Sequence, residues 1–249
     1  QFGALTSAQL KGLTETQLGA LTTTDMAEFT ATQLKGLSAT QLGKLSTENL
    51  SALNSTQVAA LSSQQIAGLT TEQIANLTAT DMAEFSATQL KGLTTAQIQN
   101  LTTENLSALT SDQVAALSTA QIKALTESQL QALTTTDIGE LTATQIGALT
   151  ATQFGSLDTT QLDALTTEQL KGLTSSQLGA LSTEAIATLT STVLGNLTST
   201  QVKGLTATQL QAMDSTQFTA LSSTALTGLT ATQIGAVSET SLSELDATQ

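Results

Sequence analysis

LTATQIGALTATQFGSL, residues 141–157, states one eight-letter phrase twice and begins it a third time. Read outward from this stretch, a large apolar residue followed by a small polar one returns every eighth residue from Leu5 to Leu245, 31 starts in all. The period is unbroken, so residues 1–249 form a single octapeptide-repeat array, and no segment of it can be interpreted as an isolated element. Octad positions are numbered 1 to 8 from that apolar residue.

Position 1 is Leu in 27 of 31 copies, the others being Phe29, Phe85, Met213 and Val237, which marks it as buried. Position 2 is Ser or Thr in 27 copies, and its exceptions are Asn54, Asp158, Asp214 and Asp246. Every one of these residues is a good helix N-cap. Position 5 is Gln in 22 copies and Asp or Asn in five more, which sets Gln three residues after the cap, the spacing of a capping box. Position 6 is apolar in every copy, as in Leu50, Ile66, Val114 and Phe154. With position 2 as N-cap, positions 1 and 6 become N′ and N4, the two halves of a hydrophobic staple.

Each octad therefore predicts a capped helix of about one and a half to two turns, stopped where the next Leu-Thr restarts it. Positions 6 and the following 1 are three apart and share a helix face. Position 8 is Ala or Gly in 21 of 31 occurrences, counting Ala4, which leaves room for a close neighbour. The fold expected is an all-α solenoid, a superhelix of very short capped helices around a common apolar axis. Rival periods fit less well. Apolar steps of five and three match neither a strand nor a heptad, and a continuous helix would rotate its stripe by about 80° per octad. A β-solenoid is the alternative fold, weakened by Gln at position 5 and Ala at 7 and 8, which have little strand preference.

The charges follow the same grammar. Of 20 acids, 15 occupy positions 2 to 5, the predicted first turn, and six of the seven lysines, Lys11, Lys35, Lys91, Lys123, Lys171 and Lys203, occupy position 7 near the predicted helix end. That distribution complements a helix dipole, although a merely solvent-facing position 7 would also suit lysine. With no His, Cys, Trp, Tyr, Pro or Arg, the chain lacks the usual general base, thiol nucleophile, soft metal ligand and bidentate phosphate clamp, so an enzyme is not expected and neither is a cofactor or a small-molecule substrate. A net charge of −13 and a pI near 4.1 argue against nucleic acid. No run of 18 apolar residues is present to span a membrane.

A slower period overlies the octad. LTTTDMAE at 21–28, LTATDMAE at 77–84 and LTTTDIGE at 133–140 are each 56 residues apart, as are the TENLSAL segments that begin at 47 and 103. This reads as duplication of seven octads, with a structural version in which 56 residues make a whole number of superhelical turns. The same octads pair Asp25 with Glu28, Asp81 with Glu84 and Asp137 with Glu140. Carboxylates three apart on a helix are weak candidates for Ca²⁺, which wants six to eight oxygens. A duplicated solvated face is the favoured reading of these six residues. Asn-x-Ser/Thr occurs at Asn49, Asn54, Asn76, Asn100, Asn105 and Asn196, a glycosylation pattern that the octad also generates automatically.

Octads such as LTTEQIAN and LTATQIGA resemble the Thr-rich octapeptide tracts of very large secreted or surface proteins of bacteria, including adhesin-like chains. The resemblance covers the whole chain and implies an extracellular or cell-surface spacer with no catalytic or binding residue. The expected function is the body of an extracellular filament, fibre or stalk, with self-association into a filament open to it. Both ends fall mid-octad and neither departs from the grammar, so the sequence reads as a window of a longer array. The alternative function is an ice-binding protein presenting Thr rows, since position 4 supplies Thr24, Thr32, Thr40, Thr144 and Thr152, but Glu48, Glu72, Glu104, Asp112, Glu168 and Glu184 interrupt that row.

Overall fold

Thirty α-helices of four to six residues follow a 3-10 helix at Phe2–Ala4, one per octad, in a computed structural model that describes residues 2–249. No strand occurs among the described residues, which removes the β-solenoid alternative. The chain divides into two units, Gln1–Leu125 and Thr126–Gln249, and the same grammar runs through each.

The helix Thr71–Ala75 shows why eight residues suffice. Thr70 has extended backbone, φ −73° and ψ 158°, and its hydroxyl accepts the Gln73 N–H at 3.0 Å while the Thr70 N–H donates to Gln73 Oε1 at 2.7 Å. Two otherwise orphaned donors are thus satisfied reciprocally. All thirty α-helices have an N-cap side chain that accepts the N3 backbone N–H, and the reciprocal bond is missing only where N3 is Asn49, Asn105, Ala185, Val193, Ala225 or Ser241. Stopping is equally local. Position 1 returns to extended backbone, as at Phe85 with φ −71° and ψ 132°, while its N–H still closes a 3-10-type bond to the position 6 carbonyl, Met82 O at 3.3 Å.

Burial follows the staple. Every position 1 residue from Leu21 to Leu221 and every position 6 residue from Leu10 to Phe218 is buried. Each such side chain contributes about 1.5–3 kcal/mol of transfer free energy, far more than a five-residue helix could gain from propensity alone. Position 4, by contrast, is exposed at Thr24, Thr32, Thr40, Thr144 and Thr152.

Each unit winds so that a helix lies against the third helix along the chain, for example Ala151–Gly155 on Ser175–Ala180 and Ser7–Lys11 on Ala31–Gly36. Small residues at positions 7 and 8 permit the approach. A Cβ on Gly204 would collide with the carbonyl oxygen of Ser175, and one on Gly179 would lie 2.6 Å from that of Gly204.

Candidate functional site

Position 5 carries the most chemistry in the repeat, and it lies inside the coil. In the capping box Gln uses only its Oε1. Its Nε2 is free to donate, and the winding aims it at the preceding turn. Gln73 Nε2 donates to the carbonyls of Leu42 at 3.0 Å and Leu45 at 2.7 Å, which lie 31 and 28 residues earlier. Gln57 reaches Met26 and Phe29, Gln97 reaches Ile66 and Leu69, Gln169 reaches Ile138 and Leu141, and Gln209 reaches Leu178 and Leu181, always at the same two offsets. The acceptors are positions 6 and 1 of two successive octads. The position 1 carbonyl belongs to the extended link between helices and has no donor of its own, so without Gln it would be a buried, unsatisfied acceptor. These glutamines are themselves buried, Gln73 being 3% exposed. One side chain therefore starts its own helix and ties that helix to the turn before.

The offset also fixes the winding. A seam that recurs at 28 residues means about three and a half octads per superhelical turn, and 56 residues are then two turns. Within the unit Gln1–Leu125, the octads at 21 and 77 lie on the same side of the coil two turns apart. The structural version of the slow period fits this winding, with or without duplication. It repeats its contacts as well as its letters: Asn49 Nδ2 donates to Leu21 O and Asn105 Nδ2 to Leu77 O, each at 2.8 Å.

The exceptions at position 5 separate the two duties. Asn49 and Asn105 are one methylene shorter and keep one bond across the seam while losing the reciprocal cap. Asp25, Asp81 and Asp137 keep the cap and have no N–H to give. Asp81 instead accepts the Ser51 hydroxyl from the neighbouring turn at 3.0 Å, so the donor comes from the opposite side of the seam.

This places the acidic candidates. Asp25 accepts the Thr22 N–H at 2.8 Å and the Thr22 hydroxyl at 2.7 Å, and these two donors, the backbone N–H foremost, hold its carboxyl below the usual range. Asp81 and Asp137 accept the same pair from Thr78 and Thr134. Glu28 accepts the Phe2 N–H at 2.8 Å, and Glu84 and Glu140 are half-buried. The structure thus gives the Asp members of the pairs a capping role. No group of three or more acidic, His or Cys side chains suited to a metal lies among the described residues.

The Asn-x-Ser/Thr triplets are divided by the fold. Asn49 and Asn105 are 2% exposed with their amides bonded, whereas Asn54, Asn76 and Asn100 are exposed. Asn76 and Asn100 cap their own helix ends by donating to the carbonyls of Glu72 and Ala96. Lys11, Lys35, Lys123 and Lys171 sit in the last turns of their helices, and Lys91 and Lys203 at C-caps, as the dipole reading expects.

A family model described as the ALTTAQ repeat matches residues 44–79, 79–111, 99–135, 107–143 and 154–191, together more than half of the chain. The chain belongs to the ALTTAQ repeat family. The six letters of that name run through octad positions 8, 1, 2, 3, 4 and 5, and ALTSAQ at 4–9, GLTTAQ at 92–97, ALSTAQ at 116–121 and ALTTEQ at 164–169 differ from it at one letter each. In structural terms they are the small packing residue, the staple Leu, the capping Thr, two surface positions and the seam Gln. No curated protein matches the chain. Among the described residues, no helix of this ALTTAQ repeat protein is long and apolar enough to cross a membrane.

Proposed function

We propose that this ALTTAQ repeat array is a passive mechanical element, the body of an extracellular filament or stalk that holds other parts of a protein at a distance. The observation that supports it most is the double use of Gln at position 5. Once Leu at 1, Thr at 2, Gln at 5 and the aliphatic residue at 6 are committed to core, cap and seam, no recurring letter is left for substrate, and the exposed positions carry mainly Ser, Thr, Ala, Gly, acids and Lys. Such a surface is suited to a spacer and not to catalysis. The ice-binding alternative is less favoured, because Glu48, Glu72 and Glu104 are exposed in the row that Thr24 and Thr32 would otherwise continue.

A length series tests the reading. Because the seam joins residues 28 and 31 apart, fragments of two or three octads are expected to be unfolded by circular dichroism. Helix content should appear only once about two turns are present, and particle length under the electron microscope should then grow in proportion to octad number. Compact particles whose size ignores octad number, or measurable thermal hysteresis of ice growth, would overturn it.

A further inference from the structure

The two sides of the winding carry opposite charge. With a turn of about 28 residues, the sequence can be cut into half-turns of 14. Residues 1–14, 29–42, 57–70, 85–98, 113–126, 141–154, 169–182, 197–210 and 225–238 contain Lys11, Lys35, Lys91, Lys123, Lys171 and Lys203 and not one acid. The intervening half-turns contain all 20 acids and a single lysine, Lys44. Residues one turn apart stack, so in each unit one side of the coil is lysine-bearing and the other acidic. All seven lysines are exposed. A chain that needed charge only for solubility would scatter it around the coil.

Every glycine at position 8 lies in an acid-free half-turn, and there Gly92 and Gly204 bring adjacent turns into backbone contact with Ser63 and Ser175. In acidic half-turns Gly19 and Gly139 face no atom within 4 Å, whereas Gly43 and Gly155 approach the carbonyl oxygens of Gly68 and Ala180. On the acidic side of the first unit a groove of about 300 Å³ opens between stacked octads, lined in part by Glu48, Thr70 and Glu72. Its two carboxylates suit a lysine side chain, whose ammonium can meet them. One side supplies such lysines and the other supplies the paired carboxylates.

We propose that copies of this chain associate side by side, the lysine-bearing side of a unit in one copy seated on the acidic side of a unit in the next. This is a heterologous contact between two different faces, so it extends without closing and gathers arrays into bundles. It gives the stalk reading a means of lateral assembly, and the two fail separately: unpaired thin particles would leave the stalk reading standing and overturn this one.

The pairing should depend on salt in a specific way. At about 0.1 M the screening length is about 10 Å, so touching faces attract while the far acidic sides of two chains with net charge −13 are screened from each other. At about 1 M it is about 3 Å and the attraction is lost. Sedimentation of the full chain is expected to give a mass at least about twice 25.5 kDa at the lower salt and the monomer mass at the higher. The double variant Lys35→Glu with Lys91→Glu should be monomeric at both. A control carrying Lys44→Glu, Thr24→Glu and Thr80→Glu changes net charge by the same amount, but on the acidic side, and should still associate. Carbodiimide cross-linking of isotopically mixed chains should join Lys35 or Lys91 of one copy to Glu48 or Glu72 of another. A chain that is monomeric at both salts, equal loss in the double variant and its control, or only intramolecular cross-links would overturn the proposal.

Discussion

Replacing Gln73 by glutamate is expected to destabilise the coil locally by about 3 kcal/mol or more, although glutamate serves a capping box as well as glutamine does. The Thr70 cap survives, because a carboxylate oxygen can accept the Thr70 N–H where Oε1 does. What fails is the seam. The carbonyls of Leu42 and Leu45 lose their donor, each at about 1–3 kcal/mol for a buried unsatisfied group, and a carboxylate is placed against two carbonyl oxygens at a site only 3% exposed. Burial and those oxygens raise the pKa of the introduced carboxyl above its unfolded value of about 4.3. The sign follows: the defect is smallest below that pH, where the protonated acid can donate one bond, and grows as pH rises through the raised value. Gln73→Asn should be milder, about 1 kcal/mol, because Asn49 shows the shorter amide keeping one seam bond and losing the reciprocal cap. Amide hydrogen exchange in the octads at 37, 45 and 69 reads the difference, since in a stacked repeat the damage stays near the altered turn. Equal, small effects of the two substitutions would show that the seam carries little of the stability.

The second large effect concerns spacing between turns. Gly204→Leu is expected to cost the upper end of about 1–3 kcal/mol, because even its Cβ would occupy the place of the Ser175 carbonyl oxygen, and backbone cannot swing aside as a side chain can. The same substitution at Gly139 should stabilise by about 0.5–1 kcal/mol through helix propensity. Gly139 lies inside the helix Thr135–Glu140, is exposed, and faces nothing within 4 Å. Neither glycine has a positive φ, so left-handed strain enters neither result. Thermal unfolding of the two variants should move in opposite directions, and a common direction would mean that turn spacing is not set by the small residues.

Much of this was legible in the letters. The Thr or Ser cap, the Gln three residues on and the staple between positions 1 and 6 are all local, so spacing alone places a helix start in every octad. The exposed Thr24 and Thr152 and the buried Leu149 follow from the same periodicity. The seam was not legible, because it joins residues 28 and 31 apart and because the cap already accounts for Gln at position 5. The choice of amide over acid held the signal. Glutamate makes equally good capping boxes, yet no complete octad has it at position 5, which implies an N–H donor with a second partner. The pairs Asp25 with Glu28 and Asp81 with Glu84 are weak ligand candidates in the sequence because capping by Asp and binding by Asp look alike there; the Thr22 and Thr78 hydrogen bonds show the capping role. The 56-residue period likewise needed a turn length before it had a physical meaning.

Scalar coupling across hydrogen bonds measures directly whether buried position 5 glutamines stitch their octads to carbonyls one turn back. In the isotopically labelled chain, Gln97 Nε2 should couple to the carbonyl carbons of Ile66 and Leu69, 31 and 28 residues earlier, and Gln73 Nε2 to those of Leu42 and Leu45. No coupling from Gln73 and Gln97 to these carbonyls, or side-chain amides that exchange with water as freely as those of an unfolded glutamine, would contradict this stitching.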